Sequence, residues 1–378
     1  MRARQSAAYD AAMTSTPPVQ RIPYPGLWLD AFTLTAVPGG ALVVGGQVWS
    51  AQGGGTTPAT VASAMRWDAG TNTWETLAPM PLPRQGHAAV PLPDGHVLIV
   101  GGRNNTELEM PGTLFWEPDT RRFREGPPLL AARDRPVAVA LPDGAVLVLG
   151  ADHDNTDLER GTRAELLRPG ASAWEPAGQT VRLFHPGPVC VSGEHVVIAG
   201  GRDNGFGFAI IEGTHFAPPL DRNTELWQPG TRTWRTSQPL TASRDEPQGV
   251  TLSDGRILVV GGWHQGQLLG TAEVWDPARE QWTPTGELTD LRSSVVLAAL
   301  PDGRAGAFGG LGQKNFEASS TVELWSPDTG AWTPGPPMSA AVSDHRVTVL
   351  DDGTVLVVGL IRKQPDGMLE TVSLRWNP

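Results

Sequence analysis

Arginine, histidine and carboxylate side chains recur together in short stretches of this chain: RQGH (84–87), RDRP (133–136), RDEP (244–247) and SDHR (343–346), with Arg292 in a related position. Guanidiniums such as those of Arg84, Arg133, Arg135, Arg202 and Arg244 present a planar fork that holds an anionic group through paired hydrogen bonds. Glu246, Asp245 and His185 are the groups able to move a proton in an isomerase, epimerase or lyase reaction. His87, Asp134, Trp263, His264, Asp344 and His345 complete the candidate ligand surface, because crowded charges of both signs shift pKa values and hold ligands. Arg84, Arg133, Arg244 and Arg292 share one equivalent position, and His87 and His345 share another. A repeated position also suits a repeated structural ion pair, so both uses stay open. The departures between copies (Asp134-Arg135, Asp245-Glu246, Asp344, His185, and Trp28 with Asp30) carry more information.

Other chemistries lack their residues. The single cysteine, Cys190, lies in the apolar run PGPVCV and reads as a small core residue. Asp152, Asp154 and Asp157 begin like a calcium loop, but the sixth position, where such a loop needs glycine, is Asp157. Zinc spacing, a phosphate-binding loop and a serine nucleophile elbow are all missing from the sequence. No metal or other cofactor is expected. A net charge of −11 disfavours a nucleic-acid partner. No apolar run approaches the ~18–20 residues that cross a bilayer. The first residues lack the apolar stretch of a secretory signal, so a cytoplasmic location is expected.

These residues sit between strands of a repeat. An apolar strand, a tight turn and a second apolar strand recur seven times, as in VPLPDGHVLIVGG and VTLSDGRILVVGG, ending at Gly45, Gly101, Gly150, Gly200, Gly261, Gly309 and Gly359. The intervals of 48 to 61 residues lie near the period of ~50 known for one propeller repeat. Proline presets φ in the Pro-Asp-Gly turn and glycine supplies its positive φ. A second unit, as in EVWDPAREQWTPT, adds two more strands, with Trp74, Trp174, Trp234, Trp282 and Trp332, and Phe123 in their place once, at one equivalent position. Such spacing predicts aromatic wedges between blades. The last copy ends after its third strand, and Val19–Ile22 is expected to supply the fourth and close the ring.

The pattern R-x-x-H, then LPDG-x-VLVVGG, then VE-x-WDP-x-T-x-x-W resembles kelch repeats, and is similar to bacterial kelch proteins and to the central propeller of the galactose oxidase superfamily. The resemblance covers about residues 17–378 and implies an all-β fold: one seven-bladed propeller of four antiparallel strands per blade, behind a flexible tail at 1–16. The copper-radical chemistry of galactose oxidase is not implied here. It uses a cysteine-linked tyrosine, a second tyrosine and two histidines, whereas Tyr9 and Tyr24 precede the first blade and Cys190 lies within an apolar strand. In such a blade the loops joining strands 2–3 and 4–1 share one face, the short turns the other. The 2–3 loops bring Arg103, His153, Arg202, Trp263, His264 and Arg362 to the variable face, and residues 202–223 are apolar enough to fold over it. Two functions fit. One is binding of a small polar or anionic molecule, or of a protein, peptide or glycan, at the charged channel mouth. The other is a metal-free acid–base enzyme there, in the manner of the similar, exported sialic-acid mutarotases. No membrane partner is expected.

Overall fold

The computed structural model describes residues 20–21, 28–52, 55–150, 162–181, 185–202, 209–211, 214–216, 220–313, 315–362 and 368–378. The described residues form antiparallel sheets, most of the larger ones four-stranded, and no helix. One sheet shows the plan of the rest: Gln248–Thr251, Ile257–Val260, Ala272–Asp276 and Gln281–Thr285 pair in chain order. Its first turn is closed by Gly255, whose φ of 83° only glycine adopts freely, and by Asp254, which accepts from the Arg256 N–H at 3.0 Å. The sheets are numbered below in chain order, the first beginning at Thr33–Val37 and the last at Ser343–Val349. Beyond Leu369–Trp376 the last sheet gains Gln20–Arg21, with Gln20 opposite Ser373 and Arg21 opposite Val372. Val19 and Ile22, expected in that strand, lie outside the described residues.

The second strands are apolar along their middle because neighbours cover both of their faces. Val97–Val100, Val146–Leu149, Ile257–Val260 and Ala305–Phe308 are buried at every residue. The apolar clusters each join two successive sheets. Leu258, Val260 and Leu252 of the fifth meet Ala305, Ala307, Trp325 and Trp332 of the sixth. Leu350, Leu356 and Val358 of the last meet Ala41, Val43 and Trp67 of the first. The aromatics Trp174, Trp234, Trp282 and Trp332 lie in these clusters, with Trp74 packed against the cluster of the first and last sheets and Phe123 against that of the first and second. They are the wedges expected from their spacing.

The loops pair with each other on one face. Gln85 bridges Arg103, Asp245 bridges Trp263, Ser293 pairs with Leu311 and Asp30 with Gln47. Each bridge joins a loop that enters a first strand to a loop that leaves a second strand, as expected for the variable face.

Candidate channel mouth

The loop entering each sheet begins with a slot that faces inward. Arg133, Arg244 and Arg292 fill it in the third, fifth and sixth sheets and are at most 1% exposed. Arg244 donates to the carbonyls of Gly261 at 3.1 Å and Thr271 at 2.7 Å, and to Glu273 Oε1 at 3.0 Å. Arg133 makes the same bonds to Gly150, Arg163 and Glu165, and Arg292 to Gly309, Thr321 and Glu323. The glutamates also accept from loop N–H groups, those of Leu130, Thr241 and Thr289. Each arginine thus ties the loop to the end of the second strand and the start of the third. Two sheets replace the pair together with apolar residues, Leu29 with Met65 and Val342 with Leu374. Arg84 keeps the carbonyls of Gly101 and Gly112 but faces Leu114 where the others have glutamate. Burial pulls its pKa down to about 10, with Glu107 opposing. The ligand role expected of Arg84, Arg133 and Arg244 is corrected on this ground: their head groups are spent inside the fold.

The two histidines are likewise internal. His87 shares a hydrogen bond of 2.9 Å with Thr33 Oγ1, and His345 Nε2 donates to the Phe308 carbonyl at 2.9 Å. Burial drives His87 down to about 3, with Arg84 adding to the effect, and His345 down to about 4 against the pull of its carbonyl acceptor. His87 is 6% exposed and His345 2%, so the ligand contact expected of them gives way to a packing role.

Two residues beyond the slot the backbone turns left-handed in six loops: Ala31, Gly86, Arg135, Glu246, Ser294 and Asp344 have φ between 47° and 61°. Such φ values cost non-glycine residues roughly 1–2 kcal/mol, yet the side chains differ from sheet to sheet. Arg135 is 72% exposed, and Glu246 and Asp344 are exposed too. A Cβ on Gly86 would stand 3.1 Å from Arg135 Cγ, so neighbouring loops touch around the ring. Asp134 lies between Arg103, at 3.6 Å, and Arg135, at 4.0 Å. Trp263 is partly exposed and meets Phe316 of the next sheet at 6.3 Å, and His264 Nδ1 lies 2.9 Å from Ser243 Oγ. His185 and Arg202 oppose each other in a strand pair. Their side chains, His153 and half of residues 202–223 lie outside the described residues.

Where the last sheet meets the first, Trp49 Nε1 donates to Asp30 Oδ2 at 3.0 Å, while Asp30 Oδ1 is buried with no hydrogen-bond partner among the described residues. Burial raises the pKa of Asp30 and the charge of Asp344 adds to it, against the Trp49 bond and Arg346. Arg346 stands over the Phe32 ring at 5.6 Å, reached by water yet ringed by protein. That desolvation lowers its pKa, with Asp344 and Asp30 opposing. Arg346, Trp49 and Phe316 are absent from the sequence-based set. Arg346 had a signal, since it stands directly after His345 where the other copies have small or uncharged residues.

The kelch motif family matches residues 247–289. No curated protein matches the chain. Among solved structures, a fungal alcohol oxidase of the AA5 family in complex with copper is similar with a TM-score of 0.67 and 13% identity, over 96% of this chain and 76% of that one. The structure of YjhT is similar with a TM-score of 0.57 and 13% identity, over 84% of this chain and 99% of that one. The fold is therefore that of a β-propeller. Within that fold, residues 247–289 carry a kelch motif. A copper site does not fit the described residues. Cys190 is buried between the fourth and fifth sheets, where burial pushes its thiol up to about 12. Among the described residues no three His, Cys, Asp or Glu side chains gather as a metal site. No helix among them is long and apolar enough to cross a membrane.

Proposed function

We propose that this chain is a seven-bladed propeller, closed by Gln20–Arg21, that binds a polar ligand at the mouth ringed by Arg135, Glu246, Asp344, Asp30 and Arg346. One observation carries the reading. The same left-handed backbone presents exposed side chains of different chemistry in successive loops, while the slot two residues earlier is buried and repeated. Arg135, Arg103 and Arg346 suit an anionic group on the ligand, and Asp30, Asp344 and Glu246 suit hydroxyl or ammonium groups beside it. Ligand-observed NMR with a library of sugar acids, amino acids and hydroxy acids tests this. Compounds that bind wild type are expected to lose binding to an Arg135→Ala/Asp344→Ala variant that melts normally. Binding that survives in the variant contradicts the reading.

Closure has its own test. Removing residues 1–24 exposes the edge of Leu369–Trp376, and the truncated protein is expected to aggregate or to melt far earlier, whereas removing 1–12 changes little. A truncated protein as stable as the whole chain contradicts closure.

A second reading, a metal-free acid–base enzyme, rests on Asp30. A carboxyl with a raised pKa and an unpartnered oxygen beside a guanidinium suits proton transfer better than the exposed Glu246, and Asp245 and His185 remain further candidates. Deuterium uptake from D2O into a library compound, abolished by Asp30→Asn, would support it. Binding without uptake would leave a binding protein.

A further inference from the structure

The opposite face carries a feature that the mouth does not explain. Six of the third strands place a tryptophan against the preceding sheet: Trp67, Trp116, Trp227, Trp275, Trp325 and Trp376. In the third sheet that position is Leu167. At this interface, between the second and third sheets, a cleft of about 720 Å³ opens, with Leu98, Phe115, Val146 and Leu167 in its wall and His96 and Arg124 at its rim.

The cleft lies where the absent indole would be. Trp325 packs beneath Arg256, its ring centre 6.0 Å from the guanidinium, and Arg256 directly follows the Asp-Gly turn of the preceding sheet. In the second sheet the residue after that turn is His96, which lines the cleft together with Leu167. The Trp325 N–H is received by Thr285 Oγ1 at 3.1 Å, whereas the matching residue of the second sheet is Gly126, which adds no side chain to the space. Trp227 and Trp376 donate to carbonyls of the preceding sheet, those of Ala177 and Pro336. The cleft therefore keeps apolar walls, with polar groups at one edge. Arg124 sits 4.6 Å over the Phe115 ring and Glu125 lines the same rim. Its size falls in the ~300–1,000 Å³ range of small-molecule sites.

We propose that this cleft is a second binding site, separate from the mouth, that takes a flat aromatic ring bearing an N–H donor, of the indole class. The ring occupies the space that tryptophan fills at the other interfaces. Its faces pack on Phe115, Leu167 and His96, and its N–H points to the acceptors at the Glu125 edge. The ring reaches the cleft either as a free small molecule or on the side chain of a peptide.

Fluorine NMR of fluoroindole tests this with the whole chain. Wild type is expected to broaden the fluorine line, and Leu167→Trp to weaken binding by more than about tenfold while raising the melting temperature. If Leu167→Trp fails to fold, Leu167→Phe, a smaller filling, takes its place, and circular dichroism checks the sheet fold. Displacement of fluoroindole by the tripeptide Gly-Trp-Gly supports a peptide-borne ring, and displacement by free indole alone supports a small molecule. Absence of broadening by wild type, or undiminished broadening by the folded variant, overturns the proposal.

Discussion

Arg244 and Glu246 stand two residues apart in one loop and have opposite fates. Arg244 is 1% exposed, and its head group is used up on Gly261, Thr271 and Glu273. Glu246 is exposed on a left-handed turn. The same contrast holds between Arg133 and Arg135, and between Val342 and Asp344. A propeller repeats its scaffold contacts around the ring, so a charged residue that recurs at one position is read first as scaffold. Residues that differ on an unchanged backbone are the ones left for a ligand to read.

The harshest way to test the scaffold half is to break a buried pair. Glu323→Ala leaves the Arg292 guanidinium buried without its carboxylate, and a loss of about 3–5 kcal/mol in urea denaturation is expected. Arg292→Met/Glu323→Leu should recover most of it, because the first and last sheets already use Leu29 with Met65 and Val342 with Leu374. A double variant as unstable as the single one would show that the pair is more than a bracket.

A milder test uses acid. In the fold His345 titrates at about 4 and His87 at about 3, whereas unfolded histidine titrates near ~6.5. Below that unfolded value the unfolded chain therefore binds more protons than the fold. Stability contributed by each histidine is complete above pH ~6.5 and is lost as pH falls toward its folded pKa, by up to ~1.4 kcal/mol per pH unit. His345→Gln should flatten the decline between about pH 6 and 4. An unchanged slope in urea melts across that range would mean that His345 is already charged in the native protein.

Much of the fold was legible in the sequence because its signals are local. A Pro-Asp-Gly turn between apolar runs states a hairpin, and Trp282 or Trp332 at a fixed distance states a wedge. The pairing of Gln20–Arg21 with Leu369–Trp376 was legible from the incomplete last copy. The site was legible only as a neighbourhood. Side-chain type does not reveal that Arg133 turns into its own sheet toward Glu165 while Arg135 turns out, since a left-handed φ at an arginine leaves no mark in the sequence. Trp49 reaches Asp30 from the paired loop of the same sheet, and Arg346 joins them from the last sheet, some 300 residues away in the chain. Leu167 was visible as a leucine, and its meaning came only with the six tryptophans that hold the same place elsewhere.

If ligand contact lies two residues beyond a structural slot, Arg244 and Glu246 must respond in opposite ways to removal. Arg244→Ala and Glu246→Ala are compared for urea stability and for affinity toward a library compound that binds the wild-type mouth. Arg244→Ala should lose about 3–5 kcal/mol and, where still folded, bind with wild-type affinity. Glu246→Ala should stay within about 0.5 kcal/mol of wild type and bind weakly or not at all. Wild-type affinity in Glu246→Ala, or equal destabilisation of both variants, would contradict the account.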